Sequence, residues 1–152
     1  MTSAITKQLD ASWAVGTAAG GLDTGSIAND VYHVWLIKRP DTGVVDVLFS
    51  ASATAPTMPS SYTLKRRIGA FIRSAGAILA FIQYGDEFLL KPPILDINAA
   101  NPGTAAVSRT LSVPDGVKVE AIVNCAINSG TSGSIAVYLS SLDCVDLAAS
   151  VT

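Results

Sequence analysis

Hydrophobic and polar residues alternate along most of the chain from residue 31 onward, with the period of two that β-strands require. No stretch has the length and spacing of an amphipathic helix. The runs VYHVWLIKRP and GVVDVLFSAS flank the turn Pro40–Gly43, in which proline presets φ, aspartate caps and glycine adopts a positive φ. They predict a β-hairpin in which Leu36 lies opposite Val47 and Val34 opposite Phe49.

The two faces of this hairpin carry different residues, and both are largely apolar. One face is predicted to be core, and it holds Tyr32, Val34, Leu36, Val45, Val47 and Phe49. A neighbouring layer or chain is expected to cover the other face. That face holds His33, Trp35, Ile37, Asp46, Leu48 and Ser50.

The remaining pattern predicts about eight short strands in all. A polar loop, residues 50–61, precedes a three-stranded meander formed by YTLKRRIGAFIR, AILAFIQY and DEFLLK, which Pro92-Pro93 ends. Three further alternating runs follow, namely AVSRTLSV, VKVEAIVNCAI and SIAVYLSSL. The expected fold is all-β, an antiparallel β-sandwich of the jelly-roll kind over residues 29–152. Residues 1–28 are expected to be an N-terminal arm on a neighbour or a first edge segment.

Composition adds an expectation about assembly. Of the 152 residues, 14% are charged, against about 25% in an average soluble domain, and 49% are hydrophobic. The apolar surplus predicts a homo-oligomer, with a trimer favoured. A net charge of −2 argues against nucleic-acid binding. The longest uncharged stretch, residues 121–142, is too polar in its middle to span a membrane, and no secretory signal is visible, so we expect a soluble protein made in a cytoplasm.

Two Asp-Thr-Gly tripeptides, at Asp23 and Asp41, match the tripeptide around which aspartic proteases build their catalytic loop. Such enzymes need two carboxylates in one site, and the spacing of 18 positions between these aspartates leaves no room for two lobes. A dimeric enzyme would need an apolar strand before its aspartate, whereas Asp23 follows AAGGL. We interpret both tripeptides as turns.

Other catalytic or metal chemistry has little support in the sequence. His33 is the single histidine, and its mid-strand position opposite Ser50 predicts a half-buried structural residue bonded to a neighbour. Cys125 and Cys144 lie too far apart in the predicted last hairpin for a disulfide, so buried free thiols are expected. The sequence therefore predicts no enzyme, no cofactor and no metal site.

The basic run Lys65-Arg66-Arg67 could be a nucleic-acid patch or part of an ion pair. Strict alternation would turn Arg66 inward, in line with Leu64 and Ile68. A buried arginine needs a carboxylate, so an ion pair with Asp46, Asp86 or Glu87 is expected.

Three stretches, LDASWAVGTAAGGLDTGSIAND, YHVWLIKRPDTGVVDVLFSASATAPTMP and YTLKRRIGAFIRSAGAILAFIQYGDEFLLK, resemble small phage and prophage virion proteins of the tail, fibre or spike type. The resemblance covers roughly residues 8–97 and implies a β-sandwich, a place in the virion and contacts with other virion proteins. It implies no catalytic residues. The short segment before the first strand leaves a decoration protein, a spike or a tail-tip component open.

The leading hypothesis is therefore a non-enzymatic structural protein of a phage virion. The alternative is a carbohydrate-binding module that recognises host surface polysaccharide through exposed aromatic side chains. The candidates for that role are Trp13, Trp35, Tyr62, Tyr84 and Tyr138, each of which could instead belong to a core or a subunit interface.

Overall fold

The computed structural model describes residues 4–100, 103–130 and 135–146. Its secondary structure is all-β, as predicted, with eight strands and no helix among the described residues. The strands are β1 (Lys7–Ser12), β2 (Ala19–Leu22), β3 (Asp30–Lys38), β4 (Val45–Ser50), β5 (Leu64–Ser74), β6 (Ala77–Ile78), β7 (Phe81–Tyr84) and β8 (Glu87–Leu90). They form a six-stranded sheet of order β1-β2-β4-β3-β5-β6 and a separate hairpin, β7-β8.

The central hairpin of the large sheet confirms the predicted register. Val34 pairs with Phe49, Leu36 with Val47 and His33 with Ser50. In the turn, the Arg39 amide donates to the Val44 carbonyl over 2.9 Å, and Gly43 has a φ of 74°. Proline, aspartate and glycine therefore close this turn as their conformational preferences predict.

The N-terminal segment supplies two strands to the same sheet. β1 pairs with β2, and β2 with β4, and both pairings are parallel, so the sheet is mixed and the prediction of an all-antiparallel arrangement is wrong. Parallel neighbours usually need a connection of about a dozen residues or more. Here only residues 13–18 separate β1 from β2, and the chain reverses there through positive φ angles at Gly16 and Ala18.

Each face of the sheet carries its own hydrophobic cluster. The first cluster, on what we call the Tyr32 face, is Leu22, Tyr32, Phe49 and Phe71. The second, on the Trp35 face, is Trp35, Ile37, Leu48 and Tyr62. Tyr62 and the partly buried Met58 come from the loop between β4 and β5, so a layer from the chain itself covers the face for which a neighbouring layer or chain was expected.

A β-bulge in β5 changes which side chains point inward. Val34 pairs with Gly69 but Trp35 with Arg67, so Ile68 is an extra residue between them. Arg66 then lies opposite Leu36 and is exposed. The predicted burial and ion pairing of Arg66 are therefore wrong, because strict alternation does not continue through a bulge.

The predicted meander forms in part. Its second run is divided at residues 79–80 into β6, which pairs with β5, and β7, which pairs with β8. Phe81 packs against the Tyr32-face cluster. A Cβ on Gly69 would lie 3.1 Å from the Phe88 ring, so the absence of a side chain there leaves room for the β7-β8 hairpin.

The chain divides into two compact units. The first, the sheet unit, is Met1–Pro93 with Val113–Val119, and the second, the C-terminal unit, is Ile94–Ser112 with Glu120–Thr152. The three strands predicted from AVSRTLSV, VKVEAIVNCAI and SIAVYLSSL are not formed in their described residues. Alternation specifies a strand only where another strand can complete its hydrogen bonds, and no described strand pairs with these segments.

Candidate functional site

Both Asp-Thr-Gly aspartates serve as turn residues. Asp41 accepts the Thr42 amide over 2.9 Å and receives the Arg39 guanidinium at 2.6 and 3.1 Å. That guanidinium lowers the pKa of the Asp41 carboxyl. Asp23 accepts the Thr24 amide over 2.7 Å and the Thr57 amide over 2.8 Å. Each carboxylate is thus held by neighbouring donors, as the turn interpretation predicted.

A buried ion pair joins the N-terminal edge to the middle of the sheet. Lys7 Nζ lies 3.2 Å from Asp46 Oδ2, and the two side chains are 1% and 3% exposed. Asp46 also accepts the Gly16 amide over 3.0 Å and the Val47 amide over 2.7 Å. A buried carboxylate is tolerated when a cation and hydrogen bonds satisfy it together.

Lys7 of this pair makes two further contacts. Its Nζ donates to the Ala14 carbonyl and lies 5.1 Å from the centre of the Trp13 ring. Trp13 Nε1 in turn donates to the Val47 carbonyl over 3.0 Å. The sequence interpretation named Asp46 only as one of three candidate carboxylate partners for Arg66, with Asp86 and Glu87. The sequence feature that indicates a buried ion pair is Asp46 itself, an aspartate on a largely apolar strand face.

His33 is 1% exposed, and neither of its ring nitrogens has a hydrogen-bond partner among the described residues. Burial lowers its pKa below the ordinary 6.5, and the nearby Arg67 cation lowers it further, while Asp115 and Asp30 oppose the shift. His33 is more deeply buried than the half-buried residue that was expected, and the predicted bond to a neighbour is not formed among the described residues.

Of the five aromatic candidates for sugar stacking, two are buried and Trp13 is partly buried. Trp35 and Tyr62 belong to the Trp35-face cluster, and Trp13 packs edge-on against Tyr62 with ring centres 5.2 Å apart. Their rings are therefore covered by protein. Tyr84 and Tyr138 are exposed, but Tyr84 lies in the sheet unit and Tyr138 in the C-terminal unit.

The basic run on β5 lies along the sheet surface. Lys65 Nζ is 5.5 Å from the centre of the Trp35 ring, and Arg67 Nη1 donates to the Ala53 carbonyl over 3.5 Å. Within the part of the chain that the structure describes, the ion pairs are Lys7–Asp46 and Arg39–Asp41, and neither includes Arg66.

Both cysteines are free, as predicted, but both are exposed. Their predicted burial is wrong because the strands expected to bury them are not formed. In residues 4–100, 103–130 and 135–146, no three His, Cys, Asp or Glu side chains come together as a metal site. Over the same ranges, no helix combines the length and hydropathy needed to cross a bilayer.

An exposed apolar surface is the feature that most distinguishes this chain from an ordinary monomer. In the C-terminal unit, Ile122 is 81% exposed, Leu142 88% and Val145 90%. These exposed apolar side chains make this surface the candidate functional site.

Comparisons with protein-family models, with curated proteins and with solved structures found no match. The functional argument therefore depends on the residues of this chain.

Proposed function

We propose that the protein is a non-enzymatic structural subunit that works as a homo-oligomer, with a trimer favoured. The exposed apolar surface supports this proposal, because large apolar side chains such as Ile122, Leu142 and Val145 are 81%, 88% and 90% exposed in the single chain. Obligate assemblies bury large hydrophobic areas between their subunits.

The setting that we propose is a phage virion, in which the subunit contacts its own copies and other virion proteins after synthesis in the bacterial cytoplasm. The resemblance of residues 8–97 to phage and prophage virion proteins supports this setting. The charge-poor composition supports it as well, because a subunit that packs against symmetry mates needs neutral surfaces. In the assembled subunit, strands from the C-terminal unit would complete a sandwich of the jelly-roll kind.

Two measurements test the proposal. Light scattering at micromolar concentration should give a homo-oligomer, and a soluble monomer at every concentration would contradict it. Mass spectrometry of purified particles should find the chain in stoichiometric amounts, and imaging of a labelled chain should locate it at a defined place. Absence from the particle, together with a hydrolytic activity in infected cells, would refute the virion role.

A further inference from the structure

Lys7 and Asp46 place an amine and a carboxyl group in contact inside the sheet unit. Lys7 Nζ lies 3.2 Å from Asp46 Oδ2, and the two side chains are 1% and 3% exposed. A buried ion pair of this kind is costly, because both charges lose their hydration. An amide bond between the same two groups would replace both charges with one neutral group, and the low exposure of the pair would protect that bond from hydrolysis.

The neighbours of the pair hold both reacting groups in place. Lys7 Nζ donates to the Ala14 carbonyl. Asp46 Oδ2 accepts the Gly16 amide over 3.0 Å, and Oδ1 accepts the Val47 amide over 2.7 Å. Each carboxylate oxygen therefore has a backbone donor that can stabilise a developing negative charge. An amine fixed beside a carboxyl group also reacts far more readily than the same groups free in solution.

A buried hydroxyl group without a partner lies close to the pair. Tyr62 is 4% exposed, and its hydroxyl oxygen has no hydrogen-bond partner among the described residues. Burial raises the pKa of Tyr62, and the nearby Asp46 carboxylate raises it further. The Tyr62 ring packs edge-on against Trp13, whose ring centre is 5.1 Å from Lys7 Nζ. Buried hydroxyl groups normally have a partner, so the free Tyr62 hydroxyl is available for proton transfer during a reaction.

We propose that Lys7 and Asp46 join in an isopeptide bond, which forms within the folded chain and needs no co-reactant. The ammonium gives one proton to the carboxylate, and the lone pair of the resulting amine attacks Asp46 Cγ. The Gly16 and Val47 amides stabilise the charge on the tetrahedral intermediate. The Tyr62 hydroxyl gives its proton to the leaving oxygen and receives one from the nitrogen. The C–O bond then breaks, water departs with two protons of the original ammonium, and the third stays on the amide nitrogen.

The bond would join an edge strand to the middle of the large sheet. Lys7 is on β1 and Asp46 on β4, and β2 lies between these strands. A covalent link between residues distant in the chain stabilises a fold by restricting its unfolded state. Both residues belong to the sheet unit, so the proposal is independent of the proposed homo-oligomer.

Mass spectrometry of the purified, unsubstituted protein tests the bond. The intact chain should be lighter than its sequence mass by one water. After denaturation, trypsin should not cleave after Lys7, because the side chain is then an amide, and the peptide that contains Lys7 should be joined to the one that contains Asp46. Lys7→Arg keeps the positive charge but has no amine, so it should have its full sequence mass. A full mass for the unsubstituted protein would refute the proposal.

Loss of water at another place is distinguishable from the proposed bond. The pair Asp115-Gly116 can cyclise to a succinimide, which also removes one water. A succinimide joins no peptides and leaves Lys7 cleavable by trypsin, so water loss with that pattern would refute the isopeptide bond. On a denaturing gel, the linked chain should migrate ahead of Lys7→Arg, because the bridge keeps the unfolded chain more compact. Equal migration of the two chains would contradict the link.

Tyr62→Phe tests the proton transfer. It removes the hydroxyl group and keeps the ring, and it leaves no described donor or acceptor without its partner. Newly synthesised Tyr62→Phe should lose the water about a hundredfold more slowly than the unsubstituted protein, as followed by intact mass over time. Tyr84→Phe, which removes an exposed hydroxyl from the same unit, should lose it at the unchanged rate. Equal rates in the two variants would overturn the role of Tyr62.

Discussion

The two units of the chain carry similar alternating patterns, but the environments of their side chains differ. In β3 and β4 of the sheet unit, Ile37 and Leu48 are fully buried at 0% exposure. In the C-terminal unit, Val123 and Ile127 are 46% and 50% exposed although they occupy the apolar positions of a similarly alternating run. The sheet unit brings a paired strand to each side of β3, whereas no described strand pairs with the C-terminal segments. A β-pattern thus becomes a buried strand only where the chain also supplies the partner.

The largest expected effect is the loss of the buried ion pair that holds the sheet unit together. Asp46→Ala should lower the free energy of unfolding by about 3–5 kcal/mol, because Lys7 would be left buried without its counter-charge. Urea titration measures the change. The control is Asp10→Ala on β1, an exposed carboxylate whose removal should change the free energy by less than about 0.5 kcal/mol.

Two glycine substitutions, one in each unit, compare the packing of the units without changing any charge. A Cβ on Gly20 would lie 2.5 Å from the Ser12 carbonyl oxygen and 2.8 Å from that of Ala11, and backbone atoms cannot easily move aside. Gly20→Ala should therefore destabilise the sheet by about 1–3 kcal/mol. Gly130→Ala in the C-terminal unit meets nothing within 4 Å and should be nearly neutral. Equal thermal shifts in the two variants would contradict the packing of β1 on β2.

His33 should make the sheet unit less stable in acid. Because its folded pKa is below the unfolded value near 6.5, the unfolded state binds more protons, and stability falls as the pH drops below about 6.5 through the folded pKa. Urea titrations between pH 7 and pH 5, in about half-unit steps, measure this slope. In His33→Leu the part of the slope due to the imidazole should disappear. An unchanged slope would show that groups other than His33 cause the dependence.

The sequence predicted those parts of the fold that depend on local chemistry. The Pro40–Gly43 turn and the pairing of Val34 with Phe49 follow from turn residues and alternation, and both were confirmed. The partner of Asp46 was missed because Lys7 lies 39 positions earlier in the chain, and no local signal joins the two. Arg66 was misplaced because the bulge at Ile68 has no signature in a single sequence.

The candidate site was also only partly predictable from the sequence. A shortage of charge predicted that some apolar surface would need a partner, but it could not say which residues form that surface. The exposed apolar side chains of the C-terminal unit became visible only once the structure separated β-patterns with a partner strand, such as β3, from those without a described partner strand.

The smallest effect is expected in the turn that first suggested protease chemistry. Asp41 is exposed, and its bonds to Arg39 and to the Thr42 amide lie within the turn itself. Asn retains the side-chain oxygen that caps such a turn, so Asp41→Asn should leave the urea midpoint unchanged within experimental error. Asp23→Asn should also fold but be somewhat less stable, because its single amide oxygen can accept only one of the Thr24 and Thr57 amides, which bond to different carboxylate oxygens of Asp23. A pepstatin-sensitive proteolytic activity that either substitution abolishes would replace the turn interpretation with a catalytic one. Since each carboxylate has its own local donors, we expect both variants to keep the fold and to show no such activity.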